Sequence, residues 1–179
     1  MRGTREVTYA ALAERLISLG MISVDTAHNV LTDMGDRQHD KLDDEEDLSY
    51  ALVDFEVAFA AYGDSVDDLE GAYHSMLLDA AACSGGTVVI DDVELTIDPE
   101  QGDVLRFVRN GSTVEWTLDH QWDRYVDHMG ILSHVDALNP GDGRVFRSVE
   151  LDEPGDNFYV LATDEQALVL TNEFGLRLD

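Results

Sequence analysis

Apolar positions in the first half of the chain recur at spacings of three and four, the pattern of helices that bury one face. Tyr9, Leu12, Leu16 and Leu19 form such a stripe behind Thr8, a capping residue type, and Gly20 suits its end. Ser23 opens a second stripe of Val24, Ala27, Leu31 and Met34, closed by Gly35, so a helical hairpin is predicted. Residues 36–47 are polar and read as a loop. From Leu48 the helical spacing resumes through Leu52, Phe55, Phe59 and Tyr62 and stops at Gly63. Ser65 with Asp68 resembles a capping box, with Asp in place of the usual Glu or Gln. It opens a fourth helix carrying Leu69, Tyr73, Met76, Leu77 and Ala80, which Ser84-Gly85-Gly86 closes.

Beyond that point the period changes. Residues 87–90 and 93–97 flank Asp91-Asp92 and predict a tight hairpin. Residues 104–109 and 113–118 flank Asn110-Gly111, the strongest short hairpin signal. A helix is predicted from residue 119 or 120 to Leu138, ended by Asn139-Pro140-Gly141. Its apolar face shifts at Gly130: Trp122, Tyr125, Met129 and Leu132 share one side, and Ile131, Val135 and Leu138 another. Two strands, 144–149 and 158–161, surround a loop with Pro154-Gly155. Thr163 and Gln166 then make a capping box for a helix through Phe174, and 176–178 adds a last strand. The fold class is α+β: N-terminal amphipathic helices followed by an antiparallel sheet with inserted helices. Residues 1–179 read as one acidic domain, with a sub-boundary near 84–86 between a helical half and a sheet-rich half.

Charge alters this ordinary picture. The 179 residues carry 38 acids against 11 Lys and Arg, a formal net charge of -27, and Lys41 is the sole lysine. Such a surface repels nucleic acid and anionic membranes and suits a basic protein partner. The charge is spread evenly, with 18 acids and 5 bases in residues 1–84 and 20 and 6 in residues 85–179. An even spread also fits salt adaptation of a whole proteome, in which acidity carries no functional message. Apolar residues at 44% supply enough material for a core. The basic start, residues 1–6, leads into an amphipathic pattern broken by Glu14 and Arg15 and not into a secretory apolar core, so a cytoplasmic location is expected.

Candidate chemistry is sparse. His120, Asp123 and Asp127 share a helix face at spacings of three and four, with His128 at its margin, but Arg124 lies in the same face and no metalloprotease motif is present. No metal or cofactor is expected. Cys83, the single cysteine, is flanked by alanines on an apolar helix side and reads as a small core residue. Trp116 and Trp122 read as packing anchors, with an exposed tryptophan as the alternative that would mark an interface. The candidate binding residues are the acidic run Asp43, Asp44, Glu45, Glu46 and Asp47, with Asp67, Asp68 and Glu70 on the fourth helix. These patterns point to a non-enzymatic acidic protein that neutralises a basic, toxin-like partner, as immunity proteins and antitoxins do against nucleases or deaminases. The alternatives are a halophilic housekeeping or regulatory domain, and an enzyme of unrecognised type built on His120, Asp127 or His134.

Overall fold

A computed structural model describes residues 7–179; the basic start, residues 1–6, lies outside the described residues. The first helices form where capping chemistry places them. Helix α1 (Tyr9–Ser18) begins where the Thr8 hydroxyl accepts the Ala11 N–H. Helix α2 (Val24–Met34) begins where the Ser23 hydroxyl accepts the Thr26 N–H. A 3₁₀ turn (Gly35–His39) follows, and helix α3 (Glu45–Asp54) starts at Asp44, whose carboxylate accepts the Asp47 N–H.

Helix α3 is shorter than its apolar spacing predicts. The chain leaves the helix at Phe55, passes through Glu56 at a φ of 56°, and continues as strand β1 (Ala58–Ala61). The last part of a stretch expected to be helical up to Tyr62 is therefore turn and strand. Helix α4 (Leu69–Cys83) is capped by Asp68 and not by Ser65, because the preceding backbone is held elsewhere: the Val66 N–H donates to the Arg124 carbonyl.

Strand β2 (Ile90–Thr96) is one strand and not a hairpin. Its pairing with β3 (Asp103–Arg109) shifts register between Asp91 and Glu94, so the Asp pair is absorbed as a bulge, with Asp92 at a φ of 51°. Asn110 and Gly111 both take positive φ and turn β3 tightly into β4 (Ser112–Leu118). Helix α5 spans only His128–His134, with a 3₁₀ turn (Val135–Leu138) after it. Strands β5 (Val145–Ser148) and β6 (Asn157–Ala162) form the expected antiparallel pair. Thr163 and Gln166 complete the capping box of helix α6 (Asp164–Phe174), which Gly175 ends in the left-handed conformation. The last residues make a single bridge, Val149 to Leu178, in place of a strand.

Two antiparallel sheets result among the described residues, β1-β6-β5 and β2-β3-β4. The first is covered on both faces. Phe59, Ala61, Tyr159 and Leu161 point into a cluster with α4, the second sheet and α5; Ala58, Ala60, Phe158 and Val160 point into a cluster with α1, α3 and α6. Because β1 comes from the chain before residue 84 and β6 from the chain after it, one sheet joins the two halves. No helix among the described residues is long and apolar enough to cross a membrane. This frame sets α4, β3 and β4 around the segment between β4 and α5, where the site lies.

Candidate functional site

Residues 119–127 leave β4 without forming a helix. Three contacts explain their path. Val126 is buried in the cluster with α4 and the second sheet. The Asp127 carboxylate accepts the N–H groups of Asp119 (2.8 Å) and Gly130 (2.9 Å), closing the loop onto its own base and capping α5. The Arg124 guanidinium pairs with Asp67 and its Nε donates to the Val66 carbonyl, tying the loop tip to the lead-in of α4. A helix from residue 119 would forfeit all three, so the helical spacing of Trp122, Tyr125 and Met129 is satisfied only from His128 onward.

Beneath the loop runs a buried polar chain. The Tyr73 hydroxyl, on α4, lies 2.7 Å from His120 Nε2, and His120 Nδ1 lies 2.6 Å from Asp103 Oδ2. The Asp127 N–H donates to the same Tyr73 oxygen at 2.7 Å, and the other Asp103 oxygen accepts the Asp98 N–H. With His120 as its Nδ1–H tautomer every contact has one donor and one acceptor: Tyr73 donates to Nε2, and Nδ1–H donates to Asp103. The His120 side chain is 3% exposed, so these partners stand in for water. Burial pushes the Tyr73 phenol well above its ordinary range, and nearby Asp127 and Asp103 add to the shift against the hydrogen bond from the Asp127 backbone.

The candidate metal constellation is dispersed by this arrangement. His120 faces inward to Asp103 and Tyr73, Asp127 is occupied by two backbone N–H groups, and Asp123 is exposed on the loop. His128 Nδ1 accepts from the Asn157 amide, and burial lowers its pKa against the pull of Asp127, Asp156 and the Tyr62 backbone. Among the described residues no three His, Cys, Asp or Glu side chains converge as metal ligands. The Cys83 thiol is buried, pushed up to about 12 by that burial and by Asp79 and Glu56, and has the character of a core residue.

Above the polar chain the loop and α5 frame a concavity of about 850 Å³. Trp122, Tyr125 and Met129 line it and are 71%, 44% and 69% exposed. Leu132, one turn farther along α5, is also exposed. Trp122 is thus no packing anchor, whereas Trp116 is buried between Phe107 and the His134 ring. The concavity also borders His120, Asp127 and His134, the residues on which an enzymatic reading would rest. Both nitrogens of His120 and both oxygens of Asp127 are committed within the fold, and His134 Nε2 lies 3.2 Å from the Thr117 carbonyl.

The acidic candidates lie elsewhere and have local partners. Asp44 caps α3, Asp47 accepts the Asp43 N–H, and Asp43 pairs with Lys41. Glu45 pairs with Arg177, which also pairs with Asp152; these carboxylates hold the Arg177 guanidinium pKa above its usual range. Glu46 borders a second concavity of about 760 Å³ with Asp152, Glu153 and Asp156. Asp67 pairs with Arg124, Asp68 caps α4, and Glu70 accepts the Leu95 N–H at the outer edge of β2. The sequence reading passed over Asp103, the inward carboxylate of the polar chain. No histidine lies near it along the chain, and only the pairing of β3 with β4 brings it opposite Leu118, two residues before His120. No protein-family model, curated protein or solved structure matches the chain.

Proposed function

We propose that this chain is an acidic binding protein that neutralises a basic protein partner, most concretely an immunity protein or antitoxin that occludes a toxin of nuclease or deaminase type. The observation that carries the reading is the fate of the cations. Arg15, Lys41, Arg106, Arg124, Arg144, Arg147 and Arg177 are each paired with carboxylates of the same chain. At a net charge of -27 most of the carboxylates outside these pairs are exposed and form an excess of one sign, the buried Asp103 apart. Such a field steers a cationic partner to the surface and sets it against nucleic acid as a competitor for the same basic cleft. The reading is non-enzymatic, in keeping with the engagement of His120 and Asp127 in hydrogen bonds within the fold.

The test is capture at low salt from lysate of the source cell, followed by kinetics with the purified captured protein. The reading expects a basic partner whose nucleic-acid chemistry is inhibited and whose association rate falls steeply with salt. Failure to capture any basic protein, or capture without inhibition, refutes it.

The even spread of acids and the single lysine favour a second reading, a halophilic housekeeping or regulatory domain. It expects that the isolated chain folds only in molar salt, and cooperative unfolding from a folded state in dilute buffer counts against it.

A further inference from the structure

We infer that the partner docks on the concavity lined by Trp122, Tyr125 and Met129, and that it offers there an apolar side chain flanked by arginine or lysine; this rests on the reading of the chain as a binder of basic proteins. Three large apolar side chains on one short segment are exposed together although the core beside them is filled by Val126, Ile131 and Val135. The segment is not loose. It is fastened by the Asp127 carboxylate, by the Arg124 pair and by the Tyr73–His120–Asp103 chain, so the backbone that carries the exposed side chains is positioned before any partner arrives. Aromatic side chains on a preorganised backbone are what binding hot spots are made of.

Charge selects the occupant. Asp119 and Asp123 stand exposed on the same loop, and its one cation, Arg124, is neutralised by Asp67. A second copy would bring the same carboxylates and a charge of -27 against this rim, and an anionic membrane would be repelled likewise. A cationic protein surface meets no such penalty, and its guanidinium or ammonium groups find both carboxylates and the faces of Trp122 and Tyr125.

Two 20-residue peptides test this by isothermal titration at low salt: an amphipathic helix of leucine and arginine, and a glycine–serine peptide with the same number of arginines. The amphipathic peptide is expected to bind at least about tenfold more tightly, and to shift Trp122 emission to the blue as the ring leaves water. The double variant Trp122→Ser/Met129→Ser is expected to lose about 30-fold in affinity, the scale of one hot-spot residue. Leu168→Ser, at a side chain 59% exposed on α6, serves as the control and leaves affinity unchanged. All three side chains lie in solvent, so folding survives the substitutions, as circular dichroism verifies. Equal binding of the amphipathic peptide to wild type and to the double variant overturns the docking site but leaves the binding reading standing. Absence of binding by either peptide to wild type overturns both.

Discussion

The Tyr73 hydroxyl is the joint on which the presenting segment rests, and Tyr73→Phe removes that one atom while leaving the ring. In the wild type it donates to His120 Nε2 and accepts from the Asp127 N–H, both at 2.7 Å. Phenylalanine fills nearly the same volume, so no large cavity opens and the cost lies in two groups left without partners. A buried polar group deprived of its partner costs roughly 1–3 kcal/mol. His120 is almost wholly enclosed and takes the full penalty; the Asp127 backbone is half-buried and water can relieve part of its own. The expected loss is about 2–4 kcal/mol. At a urea dependence of about 2 kcal/mol per molar, that lowers the unfolding midpoint by roughly 1–2 M with unchanged slope. Tyr159→Phe is the matched control, since Tyr159 is equally enclosed and its phenol is raised to about 12 by burial alone. It is expected to cost less than about 1 kcal/mol, because no hydrogen-bond partner is orphaned. Pairing Tyr73→Phe with His120→Gln should show coupling of about 1 kcal/mol or more, as members of one network do. A Tyr73→Phe midpoint within about 0.3 M of wild type refutes the claim that this chain of hydrogen bonds holds the loop.

Three further outcomes follow from the same structure. Burial lowers the His128 pKa from its ordinary 6.5, so the stability it contributes is complete above that value and drains away as pH falls through the lowered one; wild type should lose Tm relative to His128→Gln between pH 7.5 and 5.5, and parallel pH curves would sink the idea. A Cβ on Gly63 would lie 2.7 Å from the Gly155 carbonyl carbon, pushing aside the loop whose Asp156 accepts from Gly63 N–H and Tyr50; Gly63→Ala should therefore cost about 1–3 kcal/mol in urea unfolding, and a neutral effect would show that the loop yields freely. Self-repulsion at -27 should make Tm rise by ~5 °C or more from 0.05 to 1 M NaCl in calorimetry, whereas a flat curve would mean that the internal ion pairs already offset the repulsion.

What the sequence reveals of the fold follows the range of the forces. Thr8, Ser23 and the Thr163–Gln166 box act on the backbone within three residues, so the starts of α1, α2 and α6 are legible from spacing alone. Asn110-Gly111 is equally local. Strand β1 is not. Its partner β6 lies about a hundred residues away, and burial on both faces of Ala58–Ala61 removes the alternation that marks a strand. The apolar spacing of Leu52, Phe55 and Phe59 is real, but Phe55 and Phe59 serve opposite faces of the sheet, not one face of a helix. The Asp91-Asp92 pair misleads for a related reason: a bulge and a hairpin both take polar residues able to adopt positive φ, and only the β3 partner separates them.

The site was half legible, and the missing half turns on which of two apolar faces the fold chose. The chain from residue 119 to 138 carries two such faces, and the sequence shows both and the change at Gly130. Periodicity ranks neither. The structure buries Val126, Ile131, Val135 and Leu138 in the cluster with α4 and the second sheet, and that choice strands Trp122, Tyr125, Met129 and Leu132 outside. The run from Asp43 to Asp47 looked like a contact surface because its charge is dense, yet much of it is engaged in capping α3 and pairing Lys41 and Arg177. Dense charge along the chain serves here in helix capping and ion pairing, and in the proposed reading attraction for a basic partner comes from the summed field of the whole surface. A uniform field brings a cationic protein close without saying where it should stop. In the proposed docking, the exposed Trp122, Tyr125 and Met129 supply that missing specificity, so affinity is expected to respond to Trp122 and association rate to salt.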